Sequence, residues 1–205
     1  MGHGNNWDLN VEPLNNGTAA LVFAGNVRLA PSADTAWNVA SITFANTAGA
    51  FTLTAQQDIT LGVGGIVSND ADTQTITAVV TLGASESFTP AAGDLALANV
   101  NIGAHALTMA GANDVALDDV SGTGTIHKTG AGRLDLLGPI GTGAITLDAD
   151  AGTTQIAESQ TLAALTIGDG VLVTLGMQLP LPLLVAHLKK DFPTRMIRFS
   201  RANRM

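Results

Sequence analysis

The sequence lacks Cys and Tyr, and aromatic residues fill only 4% of its 205 positions. Without Cys, neither a disulfide nor a thiolate metal site can form, so packing and hydrogen bonds must hold the fold together. No apolar run reaches the roughly 20 residues that cross a bilayer, and the longest run near the end, LPLPLLVAHL, contains two Pro. We therefore predict no membrane span. The opening MGHGNNWDLN has no basic region and no apolar run, so we expect no signal peptide in it.

Charged residues are also scarce, at 13%, and the two signs are separated along the chain. Residues 1–176 carry 16 acids and three bases, a net charge of −13, whereas residues 177–205 carry six bases and one acid, a net charge of +5. An acidic body argues against nucleic acid as a partner, because phosphate binding requires a basic surface.

One short pattern recurs through the body, a Thr between two apolar residues. The copies are SITF at 41, FTLT at 51, ITLG at 59, VTLG at 80, LTMA at 107, ITLD at 145, LTIG at 165 and VTLG at 173. Such alternation places the apolar side chains on one face of a strand and Thr on the other. Gly, Asn or Asp follows almost every copy, and these residues suit tight turns. The pattern predicts an all-β chain of many short strands.

The spacing of these copies separates the possible β architectures. Copies start at positions 59, 80 and 107, and again at 145 and 165, and these intervals are close to the length of one solenoid coil. The spacing favours a right-handed parallel β-solenoid, or β-helix, in which coils of two or three short strands stack in parallel. A sandwich or barrel is the alternative, but it would favour hairpin turns and bulky aromatic residues in its core. We predict the solenoid, because small aliphatic residues and Thr suit its narrow interior.

Residues 121–138, SGTGTIHKTGAGRLDLLG, come close to the phosphate-binding pattern G-x-x-x-x-G-K-[ST]. His127 stands where that pattern has a Gly, and the alternation in RLDLL predicts a strand where a phosphate loop requires a helix. The stretch instead resembles the strand repeat associated with autotransporter passengers, S-G-x-G-x-L-x-K-x-G-x-G-x-L-x-L-x-G. The matching residues are Ser121, Gly122, Gly124, Lys128, Gly130, Gly132, Leu134, Leu136 and Gly138, with Ile126 at a Leu position.

The resemblance extends over roughly residues 5–176, because NNWDLN and ITLGVGGIVSNDADTQTI are similar to the segment that precedes this repeat in large bacterial surface proteins. It implies a secreted or outer-membrane-associated protein at the cell surface, with a β-helical passenger stalk of structural or adhesive role. The partner that it implies is a host or environmental surface or a polysaccharide, and we expect a monomer without a cofactor.

The chain also departs from that family. PIGTGAITLDADAGTTQI replaces the aromatic-containing continuation of the repeat, and no Tyr is present for the aromatic belts of the carboxy-terminal membrane barrel that full-length relatives carry. We expect export and anchoring to depend on something outside these 205 residues.

Residues 177–205 share nothing with the repeat, so we divide the chain into a β-helical domain, 1–176, and a basic tail, 177–205. The tail is predicted to be irregular or a short helix, and either to cap the last coil or to be disordered. The residues of the short apolar helical face would be Leu183, Leu184, Val185 and Leu188. A tail read from a shifted frame is the other interpretation.

β-Helices also host polysaccharide lyases and hydrolases, whose sites need converging carboxylates. The candidate pairs are Asp70 with Asp72, Asp118 with Asp119, and Asp148 with Asp150. We interpret all of them as acids that solvate turns and the outer face, since Asp118 and Asp119 would point to opposite faces of a strand. The His residues at 3, 105, 127 and 187 show no metal-ligand spacing. We predict a non-enzymatic module without a catalytic, cofactor or metal site. The alternatives are a carbohydrate-active β-helix, or a glycan-binding module that uses Trp7 or Trp37.

Overall fold

The computed structural model describes residue 7 and residues 10–141, 144–158, 160–177 and 196–201. These residues form 17 β-strands and no α-helix. The strands are β1 Ala20–Gly25, β2 Ser32–Ala33, β3 Trp37–Ala48, β4 Thr52–Ala55, β5 Ile59–Ser68, β6 Gln74–Leu82, β7 Glu86–Pro90, β8 Leu95–Asn101, β9 Ala106–Met109, β10 Val115–Ser121, β11 Thr125–Lys128, β12 Arg133–Leu136, β13 Thr146–Ala149, β14 Thr153–Ile156, β15 Ala164–Ile167, β16 Leu172–Met177 and β17 Met196–Arg201. Among the described residues, no helix has the length and apolarity of a membrane span.

The strands pair in parallel with strands one coil before and one coil after them. For example, β10 pairs with both β8 and β12, and β11 pairs with both β9 and β13. Hairpins would instead produce antiparallel neighbours. The prediction of an all-β parallel solenoid is therefore confirmed, and the sandwich alternative is excluded.

One inward-facing position repeats from coil to coil and forms a column that we call ladder A. The sequence interval between successive members varies, and it is shorter from Ala149 to Ile167 than from Ile42 to Ile66. The members are Leu21, Ile42, Ile66, Phe88, Met109, Lys128, Ala149 and Ile167. All of these side chains are buried, so ladder A forms one continuous wall of the core.

Two further inward columns complete each coil. Ladder B consists of Leu53, Ile76, Leu97, Leu117, Leu136, Ile156 and Leu175. Ladder C consists of Trp37, Ile59, Val80, Val100, Val120 and Ile140. A coil in the middle of the chain contributes one residue to each ladder, as Leu97, Val100 and Met109 do. The coil therefore has three sides, and its core is the narrow space that the three ladders enclose.

The Thr-bracketed strings lie in these strands, and their alternation has the predicted direction. In β9, Leu107 and Met109 are buried, whereas Thr108 between them is half-buried on the outer face. The same arrangement holds in β15, where Leu165 and Ile167 flank Thr166. The string occurs on all three sides of the coil, because Leu53 of FTLT belongs to ladder B and Val80 of VTLG belongs to ladder C. It is thus the sequence signature of a coil strand.

The final described strand lies in the region assigned to the basic tail. Met196–Arg201 pairs in parallel with Leu172–Met177, so that the β16 edge facing away from β14 is covered by a strand. The proposed helical face at Leu183, Leu184, Val185 and Leu188 lies outside the described residues. The division at residue 176 stays a prediction.

Coil stacking leaves no room for a side chain at the glycines of the 121–138 stretch, and the closest contacts are at Gly124 and Gly132. A Cβ atom at Gly124 would lie 1.8 Å from the carbonyl oxygen of His105, and one at Gly132 would lie 1.9 Å from that of Asn113. Both obstacles are backbone atoms of the preceding coil. They are held by cross-coil hydrogen bonds, such as the one that the Thr125 amide donates to His105 (3.3 Å). The glycine spacing of the repeat therefore follows from close backbone contact between coils.

We predict that Gly124→Ala will lower the free energy of unfolding by at least about 2 kcal/mol, because the added methyl group forces two coils apart. The matched control is Gly83→Ala, whose Cβ would meet its nearest atom, the Leu61 carbonyl oxygen, at 3.2 Å and needs only a small shift. Urea unfolding followed by circular dichroism measures both changes. Equal losses in the two variants would contradict the stacking argument.

Candidate functional site

Lys128, the residue that suggested a phosphate loop, lies inside the solenoid. It occupies ladder A between Met109 and Ala149, and its side chain is only 2% exposed. Its Nζ donates hydrogen bonds to the carbonyl oxygens of Gly130 and, at 3.4 Å, Ala151. This position fits the interpretation of Lys128 as part of a structural repeat. The ammonium group points into the coil, where it cannot reach a phosphate group bound at the surface.

The two acceptors of Lys128 belong to turns of successive coils. Gly130 follows β11, and Ala151 follows β13 in the next coil, so one ammonium group bonds two stacked turns. Gly152 makes this possible, because a Cβ there would lie 2.7 Å from Nζ. Burial lowers the pKa of Lys128, and the negative charge of Asp114 opposes that shift. The Lys and the glycines after it thus act together as a cross-coil tie.

We predict that Lys128→Ala will destabilise the protein by about 2–4 kcal/mol, because it removes both the packing of the side chain and its hydrogen bonds. Lys128→Met is the matched variant, since Met109 occupies the same ladder position one coil earlier. It restores most of the packing and should cost only about 1–2 kcal/mol from the unpaired carbonyl groups. Thermal and urea unfolding measure both. A Met variant as stable as the parent would mean that the ammonium contributes no net stability.

Glu86 is a second ionisable group inside the coil, and its side chain forms no hydrogen bond like those of Lys128. Glu86 lies at the start of β7, where its register partner is Leu107. The residue is 6% exposed, and neither of its carboxylate oxygens has a hydrogen-bond partner. Desolvation by burial raises the pKa of Glu86 to about 8, and the backbone amide of Gly65, outside hydrogen-bonding geometry, lowers it only in part. The folded protein therefore holds the proton of Glu86 at neutral pH.

We predict that Glu86 makes stability decrease as pH rises. Below pH 4.5 the folded and unfolded chains both hold the proton, but between pH 4.5 and about 8 only the folded chain holds it, so unfolding becomes more favourable across this interval. Glu86→Gln, which stays neutral, should lose none of this stability, so its stability relative to the parent should rise from pH 4.5 to pH 8.

The measurement is the urea midpoint of both proteins from pH 4.5 to pH 8.5. The control is Glu158→Gln, since Glu158 is exposed on the surface. Its pH profile should follow that of the parent. A parallel profile for Glu86→Gln would show that the Glu86 carboxyl group is not desolvated in solution.

Among the described residues, only one group of three His and acidic side chains is close enough to hold one metal ion. It lies on the outer face of the strands that carry ladder A. It comprises His127 in β11, Asp148 in β13 and Asp150, one residue beyond β13. One candidate ligand atom from each lies within 4.8 Å of the others, and His127 Nδ1 is 3.5 Å from Asp148 Oδ2. We call this group the His–Asp–Asp cluster.

Register and alternation build the His–Asp–Asp cluster. His127 and Asp148 are direct partners in the pairing of β11 with β13, so they face the same way on neighbouring coils. Ala149 points inward, which leaves Asp148 and Asp150 on the outer face. The Asp150 amide donates a hydrogen bond to the Lys128 carbonyl (2.9 Å), so the outward alternation continues one residue past the strand. Asp150 therefore faces the same way as Asp148, although it lies one residue beyond the strand.

The other predicted acid pairs have different surroundings. Asp70 Oδ1 accepts a hydrogen bond from the Asp72 amide (2.9 Å), which is a turn role. The expectation that Asp118 and Asp119 face opposite ways is wrong, because both are exposed. A Cβ at Gly138 would meet Oδ1 of both, at 2.7 and 2.9 Å. The chain turns a corner between ladders B and C at this point, so two consecutive residues point outward.

The remaining sequence candidates do not join a common site. His105 is half-buried in the turn before β9, and His3 and His187 lie outside the described residues. Trp37 is buried in ladder C, and Trp7 packs against it with ring centroids 5.9 Å apart. Trp7 also lines a cavity of about 760 Å³. The lining of that cavity is completed by Val22, Phe23, Ala24, Val27, Arg28, Leu29, Ala30, Pro31, Ser32 and Phe51. An exposed aromatic platform at Trp37 is therefore excluded.

No family model, no curated protein and no solved structure matches this chain.

Proposed function

We propose that this chain is a non-catalytic structural or adhesive module of a secreted or cell-surface bacterial protein, part of a β-helical passenger stalk. The observation that carries the proposal is ladder A, which stacks without interruption from Leu21 to Ile167. Each step joins two coils through backbone hydrogen bonds and apolar contact, so a rod of such coils resists local unfolding. A strand spacing of about 4.8 Å makes seven such steps roughly 34 Å long.

The outer surface supports a spacing or contact role. The outward column beside ladder B runs through Thr75, Ala96, Ala116, Asp135 and Gln155, most of which have short side chains. Such a column makes a flat face, which suits broad contact with another surface better than enclosure of a small substrate. The excess of acids in residues 1–176 keeps such a rod soluble and discourages side-by-side association.

The resemblance of residues 121–138 to the passenger strand repeat supplies the cellular setting of the proposal. Gly124, Lys128 and Gly132, which that resemblance includes, are the residues that coil stacking uses in this chain. Their roles are in the stability of the coil. A stalk whose repeat residues serve stacking leaves its outer side chains free for contact with a host surface, an environmental surface or a polysaccharide.

A carbohydrate-active β-helix is the second candidate function, and the His–Asp–Asp cluster is the observation that favours it. Two carboxylates within 4.8 Å of each other approach the separation of about 5–5.5 Å found in retaining glycosidases. Against this candidate, the cluster lies on the outer face of a strand pair and includes two half-exposed side chains. A hydrolase usually encloses its substrate more closely.

We predict that the protein will not turn over polysaccharides. The experiment incubates the full chain with pectin, alginate and related polymers, with and without Ca²⁺, and follows reducing ends and the absorbance of unsaturated products. The matched variant carries Asp148→Asn and Asp150→Asn. The proposal expects no product above the rate of this variant. Sustained turnover by the parent that the double variant abolishes would overturn the structural role and establish the carbohydrate-active alternative.

A further inference from the structure

We propose that the His–Asp–Asp cluster is a binding site for a divalent transition-metal ion, with Zn²⁺ as the best-fitting ion, and that the bound ion ties two coils of the solenoid together. His127 would supply an imidazole nitrogen from one coil, and Asp148 and Asp150 would supply carboxylate oxygens from the next. This inference is independent of whether the module is structural or catalytic.

The distances suit a metal ion better than a hydrogen bond. His127 Nδ1 and Asp148 Oδ2 are 3.5 Å apart, whereas N–H···O bonds have a length of about 2.7–3.2 Å. Two ligands that each lie about 2.0–2.1 Å from a tetrahedral zinc are about 3.4 Å from each other. The third ligand atom, from Asp150, lies within 4.8 Å of both, and Asp150 is exposed, so a side-chain rotation can close the remaining gap.

An unpaired carboxylate oxygen in the cluster is suited to bind a cation. Asp148 Oδ1 is covered from solvent and has no hydrogen-bond partner, although Asp148 Oδ2 faces His127. A covered carboxylate oxygen without a partner is costly, and a cation removes that cost. The two cationic side chains nearest in sequence are engaged elsewhere. Lys128 bonds turn carbonyl groups inside the coil, and Arg133 pairs with Asp135 at 2.7 Å.

The chemistry of the donors favours zinc over calcium or magnesium. Imidazole nitrogen suits zinc and its transition-metal neighbours, whereas calcium and magnesium prefer sites made only of oxygen atoms. Three protein ligands would leave the fourth zinc position open to water, because both His127 and Asp148 are partly exposed. The flanking outer positions in the same column are Thr108 and Thr166, whose short side chains leave room for that ligand.

Binding would also stabilise the fold, because the ligands come from different coils. His127 and Asp148 are one coil apart in the sequence and become adjacent only after β11 and β13 have paired. An ion that binds the folded chain and not the unfolded chain raises stability with its concentration. The site therefore predicts a thermal midpoint that rises with added zinc.

The test is a Zn²⁺ titration of the full chain by isothermal calorimetry after dialysis against a chelator, with thermal unfolding at increasing zinc concentrations. We expect a site whose affinity falls at least about tenfold in Asp150→Asn and in His127→Asn, since loss of an outer-shell partner alone costs about 10–100-fold. The zinc-dependent rise of the thermal midpoint should be smaller in both variants at every zinc concentration. Because Asp150 is exposed, its variant should fold as the parent does.

The matched control is Asp119→Asn, which changes the same charge on another side of the coil, where Asn99 is the register partner. It should bind zinc as the parent does. Because His3 and His187 could bind zinc elsewhere, the variants decide the result. Zinc binding that is the same in all four proteins, no zinc binding, or binding of Ca²⁺ in preference to Zn²⁺ would each overturn the proposal.

Discussion

The structure depends on parallel, in-register stacking of coils. Once one strand pairs in parallel with the strand of the preceding coil, each side chain lies about 4.8 Å from its register partner. Inward positions then form continuous ladders, and outward positions form equally continuous columns. Coil length varies, being shorter between Ala149 and Ile167 than between Ile42 and Ile66. Part of the difference is a register shift between Val39 and Ser41, and the inward residues on both sides of that shift stay paired with the next coil.

The same constraint explains why the ionisable side chains of Lys128 and Glu86 are buried. An inward position stays inward whatever residue occupies it, so the chemistry of that residue must be satisfied within the coil. Lys128 succeeds because its long side chain reaches the carbonyl groups of Gly130 and Ala151. Glu86 has a shorter side chain that only accepts hydrogen bonds when ionised, and neither of its oxygens meets a donor. It therefore remains neutral, and its pKa rises.

Local patterns predicted the strands, but neither the contacts between coils nor the corners. Thr108 and its apolar neighbours identify a strand and its inner face without knowledge of any other residue. The pairing of His127 with Asp148 depends on the register between strands one coil apart, and because coil length varies, that register is undetermined from sequence. Asp118 and Asp119 were assigned wrongly for a related reason. β8 and β10 place two consecutive residues outside where they pass from ladder B to ladder C, whereas β6 alternates strictly through the same corner. Such a corner is therefore recognised only when both ladders are known.

Coil stacking also places the residues that stabilise the fold and the residues available for binding at different positions of each coil. The inner ladders and the turn glycines hold the coils, as Gly124 does through its contact with His105. Outer side chains contribute less to the core, so an outer column can change from Thr108 to His127 to Asp148 while the inner positions beside it stay buried. A solenoid can therefore acquire a binding group at one step of one column without altering its fold. The His–Asp–Asp cluster has this form, because its three ligands occupy one outer face while Lys128 and Ala149 continue ladder A beneath them.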